Sequence, residues 1–127
     1  MFETLLFPID QSQATMDTAA KAIELALSQN SQMFMLHVIK ANGQNINSDE
    51  SMASLLNTAK EKVQQAGVPC EVIEREGKPA FVICDVADEL NVDLIIMGTR
   101  GIDITEDNES TTSRVIQLAP CPVLVVP

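Results

Sequence analysis

The segment Val92–Gly101 is an apolar run that ends in a glycine-bearing turn. Residues 94–97 are all apolar, and Val92 precedes them. A strand this apolar is buried on both faces, which occurs mainly in parallel sheets covered by helices. The turn from Gly98 to Gly101 follows the strand's carboxyl end, where open α/β sheets place their ligand sites. The segment therefore predicts an α/β fold with a ligand site at this turn.

Strands alternate with helices along the rest of the chain. The predicted elements, in order, are a strand over Thr4–Ile9, a helix over Gln13–Ser28, a strand over Met33–Ile39, a helix over Glu50–Ala66, a strand over Cys70–Arg75, a helix from Pro79, the strand Val92–Met97, a helix over Thr111–Leu118 and a strand over Val123–Val126. This alternation is typical of parallel βαβ units with right-handed crossovers. We therefore predict one Rossmann-like, three-layer α/β domain over residues 1–127, with a five-stranded parallel sheet and four helices.

Apolar residues three or four positions apart predict the buried face of each helix. The predicted stripes are Met16, Ala20, Ile23 and Leu27 in the first helix, Met52, Leu56, Ala59 and Val63 in the second, and Ala80, Ile83, Ala87 and Leu90 in the third. Gly67 follows the second helix, at the position where a C-terminal cap is expected.

Composition excludes several classes of partner. The net charge is −10 and the chain has no Trp or Tyr, so electrostatics oppose nucleic acids and anionic membranes, and stacking platforms for bases are missing. The longest apolar runs are too short to cross a bilayer. The amino-terminal residues 1–7 have no basic region and no cleavage site. We expect a cytoplasmic protein with no nucleic-acid or membrane partner.

Few residues suggest catalytic or metal chemistry. The three cysteines, Cys70, Cys84 and Cys121, match no zinc or redox spacing. We interpret them as small core residues in a reducing compartment, and a reactive Cys121 between two prolines is the alternative. His37 is the only histidine, and we expect a strand-end residue flanking the crevice rather than a catalyst. No metal site and no catalytic residue is predicted.

Five pieces of the chain together resemble the universal stress protein family. They are Leu5–Asp10, Met35–Val38, Glu76–Ala80, Asp93–Gly101 and Ala119–Val126, in the family's order and across almost the whole chain. The resemblance implies the strand order 3-2-1-4-5 and a role in stress adaptation. It also implies a homodimer in which the strands Val123–Val126 pair across a two-fold axis. Such pairing would cover an apolar edge that is otherwise exposed.

The resemblance also implies a set of candidate nucleotide-binding residues. ATP-binding members carry Gly, two residues, Gly, nine residues, and then Gly with Ser or Thr. Carried over by position, the nucleoside contacts are Asp10 and Val38, the phosphate contacts are Gly98 and Gly101, and the closing hydroxyl is Ser110 or Thr112. Arg100 either contacts a phosphate or pairs with the acidic loop that follows.

The second half of this pattern departs from the family. Counting forward from Gly101 leads to Thr111-Thr112, and counting back from Ala119 leads to Glu109-Ser110, so the closing glycine is absent by either count. Residues 102–113 contain no basic residue and four acids, which are Asp103, Glu106, Asp107 and Glu109. A carboxylate about 4 Å from a phosphate costs about 1 to 4 kcal/mol, whereas a micromolar affinity corresponds to about 8 kcal/mol.

Three hypotheses follow for the function. The leading one is a regulatory binding protein of the universal stress type, with a degenerate nucleotide crevice that does not hold ATP tightly and with protein partners. The alternative is a switch that binds ATP or AMP, with Mg²⁺ bridging carboxylates and phosphates. Hydrolase activity is the third hypothesis, and it is disfavoured because the sequence shows no positioned base and no basic clamp.

Overall fold

The computed structural model of the chain describes residues 2–9, 14–39, 49–98 and 111–127. Its elements are β1 (Thr4–Ile9), α1 (Ala14–Gln29), β2 (Gln32–Ile39), α2 (Asp49–Gln65), β3 (Cys70–Glu76), α3 (Pro79–Glu89), β4 (Leu94–Gly98), α4 (Thr111–Leu118) and β5 (Val123–Val126). The five strands form one sheet in the order β3-β2-β1-β4-β5. All four neighbouring pairs are parallel. The predicted fold class and strand order are confirmed.

The start of β4 differs from the prediction by two residues. The strand begins at Leu94 rather than Val92. Asp93 precedes it and turns its carboxylate toward β1, where Oδ2 accepts hydrogen bonds from the backbone N–H groups of Glu3 at 3.0 Å and Thr4 at 2.9 Å. This side chain aligns the starts of the two central strands. The observed limits of β1, α4 and β5 coincide with the predicted ones.

Two apolar layers fill the space between the sheet and its helices. On one face, α1 and α2 pack against the side chains of Leu5, Phe7 and Ile96, among others. On the other face, α3 and α4 pack against Leu6, Ile95 and further residues. Successive strand residues point to opposite faces, so the continuous apolar runs of β1 and β4 serve both layers. Within the described parts of the chain, no helix has the length and apolar character that a membrane span requires.

The buried face of α1 differs from the prediction. Leu27 is 52% exposed, whereas Ala19, Ala22 and Ala26 are each only 1% exposed. Met16 and Ile23 pack at the margin of the core, partly buried, and Ala20 is exposed. Small side chains along one stripe let a helix approach the sheet closely, and the larger residues then lie at the sides of the contact. The predicted stripe of α2 is confirmed, since all four of its residues are buried.

Two glycines permit the turns around β3. Gly67 follows α2 with φ +97°, as expected for a helix C-terminus. Gly77 follows β3 with φ +147°, and its N–H donates a hydrogen bond to the Ile39 carbonyl at the end of β2. A Cβ at Gly77 would lie 2.7 Å from Val82 Cγ2, whereas nothing lies within 4 Å of one at Gly67. The turn from β3 into α3 therefore requires glycine for two reasons.

Candidate functional site

The candidate site lies where the strand order reverses, between β1 and β4. These strands pair in parallel, with Leu5 opposite Leu94 and Leu6 opposite Ile95. The helices that follow them, α1 and α4, pack on opposite faces of the sheet, and a ligand crevice is expected at the carboxyl edge of such a strand pair. Among the predicted site residues, Val38, Gly98 and Thr112 are described by the structure. The others lie outside the described residues, and these are Asp10, Arg100, Gly101 and Ser110.

The structure brings Gly98 and Thr112 together. The Thr112 hydroxyl donates a hydrogen bond of 3.2 Å to the Gly98 carbonyl oxygen. Thr112 is 5% exposed and lies in the first turn of α4, while Gly98 is the last residue of β4. This bond ties the carboxyl end of the strand to the start of the last helix.

A third residue of this cluster, Thr18 of α1, was not predicted from the sequence. A Cβ on Gly98 would lie 2.8 Å from Thr18 Oγ1, closer than real Cβ contacts. Thr18 is 5% exposed, and it precedes Ala22 and Ala26 at intervals of four residues along the buried stripe. An interpretation of α1 through its small residues would have found it. The predicted buried face of α1 was placed by its large apolar residues and therefore excluded Thr18.

Val38 lies at the other end of the crevice. It is near the end of β2, opposite Arg75 of β3, and it packs against the layer formed by α3 and α4. One strand, β1, separates β2 from β4. Two strand spacings amount to about 10 Å, so Val38 and Gly98 lie about that far apart along the carboxyl edge of the sheet.

A histidine–carboxylate pair lies beside Val38. His37 Nδ1 is 3.1 Å from Glu74 Oε2, and the two residues are direct neighbours in the register of β2 and β3. The His37 side chain is 19% exposed and that of Glu74 is 56% exposed. No carboxylate lies near His37 in the sequence, and this partner comes from the neighbouring strand. By the same strand spacing, His37 is about 10 Å from β4, and Glu74 is one strand farther away.

The described thiols are not activated. Burial raises the pKa of the Cys70 thiol to about 11. Burial also raises the pKa of Cys84, with a further contribution from Asp85, and that of Cys121, where Asp93 adds to the effect. Thiolate is the reactive form of cysteine, so these environments favour the core interpretation over a reactive Cys121. In the described ranges, no three His, Cys, Asp or Glu side chains group in a way that could hold a metal ion.

Comparison with known proteins agrees with this fold. The model of the universal stress protein family matches residues 1–127. Universal stress protein Sll1654 of Synechocystis is 46% identical, and the match covers all of this chain and 87% of that protein. Among solved structures, a universal stress protein from Archaeoglobus fulgidus in complex with dAMP superposes with a TM-score of 0.79 at 21% identity, covering 100% of both chains. Another, in complex with cAMP, gives 0.81 at 20% identity, covering 98% of this chain and 96% of that one. The chain belongs to the universal stress protein family.

Proposed function

We propose that the protein is a cytoplasmic regulator of stress adaptation that works by binding and not by catalysis. Its crevice keeps the parts that hold a nucleoside and a first phosphate, and it has lost those that hold a triphosphate. The observation that carries this proposal is the hydrogen bond from Thr112 to Gly98. Thr112, one of the two candidates for the closing hydroxyl of the family pattern, is therefore engaged within the protein.

The retained half of the site is the half needed for a nucleoside monophosphate. Val38 is at the carboxyl edge of β2 and Gly98 at that of β4, about 10 Å apart across β1. The solved relatives in complex with cAMP and dAMP hold nucleotides with one phosphate. A monophosphate also carries fewer negative charges than a triphosphate, so its repulsion by a chain of net charge −10 would be smaller.

The geometry disfavours hydrolysis. The acid–base pair in the described part of the chain is His37 with Glu74, on β2 and β3. His37 is about two strand spacings, or about 10 Å, from Gly98, and Glu74 is one strand farther away. A general base must come within about 3 Å of the proton it removes, or reach it through one water. The pair is therefore misplaced for activating water at a phosphate beside β4.

Calorimetric titration with AMP, ADP and ATP, each with and without Mg²⁺ at low salt, tests this function. We expect AMP to bind at least as tightly as ATP. The variant Asp10→Ala, which removes the predicted nucleoside contact, should abolish the AMP signal. ATP binding more than tenfold tighter than AMP, or phosphate release above blank in the presence of Mg²⁺, would show that the distal half of the site works and would refute the proposal.

We also propose that the functional unit is a homodimer formed through β5. The two edge strands of the sheet differ in character. The β3 edge exposes Glu71, Glu74, Arg75 and Glu76, and charges of this kind block strand addition. The β5 edge consists of Val123–Val126, with Leu124 42% exposed. An uncharged edge favours pairing with a second copy.

Sedimentation of Leu124→Lys tests the dimer. The substitution puts a charge on the β5 edge and should shift the mass from dimer to monomer. Leu27→Lys is the matched control, because Leu27 is similarly exposed at 52% but lies on α1. It should leave the mass unchanged. A wild-type protein that sediments as a monomer, or a Leu124→Lys variant that remains fully dimeric, would contradict the β5 interface.

A further inference from the structure

Two buried threonines converge on one glycine. Among the described residues, the buried polar side chains are Thr18, Ser31 and Thr112. Ser31 donates its hydroxyl proton to the Phe2 carbonyl, next to the amino-terminal ends of the strands. The other two meet at Gly98, at the carboxyl edge where the crevice lies. Burying a hydroxyl is costly unless it is hydrogen-bonded, so their convergence calls for a physical reason.

The two threonines reach Gly98 from opposite faces of the sheet. Thr18 is on α1, whose buried alanines belong to the layer with Leu5 and Phe7. Thr112 is on α4, which packs through Val115 into the opposite layer. Thr18 fills the space that a side chain on Gly98 would occupy, and Thr112 holds the carbonyl oxygen. The end of β4 is thus fixed by both helical layers at once.

We infer that Thr18 and Thr112 are positioning residues that act through Gly98, and that Thr112 is not a phosphate ligand. A threonine hydroxyl has one proton to donate, and that of Thr112 goes to the Gly98 carbonyl. Because a peptide unit is planar, a bond that holds this carbonyl also sets the plane of the peptide unit leaving Gly98. The orientation of the peptide unit that leaves Gly98 is then determined before any ligand arrives. The inference rests on the proposed function only for the identity of the ligand.

The test compares Thr112→Val, which keeps the shape and removes the hydroxyl, with Thr112→Ser, which keeps the hydroxyl. The first readout is the carbon-13 chemical shift of the Gly98 carbonyl in the ligand-free protein. We expect an upfield shift in Thr112→Val, because the carbonyl loses its donor, and little change in Thr112→Ser. Thr58→Val, at an exposed position of α2, is the control for the substitution itself and should leave the signal in place. Thr112→Ala serves as a second variant if Thr112→Val does not fold.

The second readout is stability and affinity. Thr112→Val should lower the folding equilibrium constant of the ligand-free protein about fivefold, as expected for one neutral hydrogen bond, and Thr112→Ser should restore it. With AMP and adenosine as probes, Thr112→Val should weaken AMP by a similar factor and leave adenosine unchanged. An unshifted Gly98 carbonyl and unchanged stability in Thr112→Val would overturn the inference, whatever happens to AMP. Absence of AMP binding in the wild type would refute the proposed function alone, since the ligand-free readouts would stand.

Discussion

Replacing Gly98 with alanine should destabilise the protein through one atom of α1. The added Cβ would lie 2.8 Å from Thr18 Oγ1, while the Cβ and Cγ2 atoms of Thr18 are both at an ordinary 3.8 Å. Thr18 is 5% exposed, and a β-branched side chain in a helix has few alternative rotamers. Overpacking of this kind typically costs about 1–3 kcal/mol. The free energy of unfolding should fall by that amount.

The same substitution should become favourable once the oxygen is removed. Gly98 does not have a positive φ, so its backbone conformation suits alanine, and glycine-to-alanine changes at such positions stabilise by about 0.4–1 kcal/mol. In a Thr18→Ala background the nearest atom of residue 18 would be its Cβ at 3.8 Å. Gly98→Ala should therefore change sign, giving a coupling energy of about 1.5–4 kcal/mol between the two sites. Thr18→Val is the matched control, because it puts a methyl in place of the oxygen and keeps the clash.

Urea unfolding of the ligand-free wild type, the three single variants and the two double variants measures this coupling. The free energies of unfolding should show that Thr18→Ala, but not Thr18→Val, restores the stability lost in Gly98→Ala. If Gly98→Ala alone is as stable as the wild type, the packing argument is wrong and the glycine serves only close approach by a ligand. If Thr18→Val restores the stability of Gly98→Ala equally well, the added Cβ does not clash with the atom at the Oγ1 position of residue 18.

Three further outcomes are expected. Gly77→Ala should cost more unfolding free energy than Gly67→Ala by about 1–3 kcal/mol, because both have positive φ but only the first meets Val82 Cγ2, at 2.7 Å; equal losses in urea unfolding would contradict this. The raised pKa of Cys70, about 11 against an ordinary 9.0, means that the folded state holds this proton more tightly than the unfolded state. Stability should be intact below pH 9 and fall as pH rises from 9 to 11, with Cys70 accounting for about 1 kcal/mol at pH 10. If a Cys70→Ala variant loses as much unfolding free energy between pH 9 and 11 as the wild type, Cys70 does not cause the loss. Glu74→Gln should change the free energy of unfolding at pH 7 by less than about 1 kcal/mol, because the pair with His37 is largely exposed on the Glu74 side, and a larger change in urea unfolding would assign the pair a structural role.

Most of the fold could be predicted because its signals are local. The apolar run of β4 and the short run of β5 indicated buried parallel strands, and the glycine after α2 marked the end of that helix. The strand order came from the resemblance to the family and was confirmed by the structure. The start of β4 was predicted two residues too early. Asp93 uses its side chain to bind the backbone of β1, which is distant in sequence, and therefore precedes the strand.

The face of α1 could not be predicted by weighting large apolar residues. Leu27 and Ile23 suggested one phase of the helix, whereas the close approach of the helix to the sheet selected Ala19, Ala22 and Ala26. Small residues pack best where two backbones come near. Counting the spacing of apolar residues gives no information on how near the backbones are. The same error hid Thr18, because it lies on the alanine phase. The pair of His37 and Glu74 was hidden for a different reason, since it depends on the register between two strands.

The glycine turn illustrates how a motif can be explained twice. Gly98 matches the first glycine of the family's nucleotide pattern, yet the contact with Thr18 requires a glycine there even without a ligand. Its presence is therefore not by itself evidence for phosphate binding. The same holds for Thr112, whose hydroxyl is used by the Gly98 carbonyl. Evidence for a ligand must therefore come from a binding measurement, such as titration of the wild type and of Asp10→Ala with AMP, and not from the presence of Gly98 or Thr112.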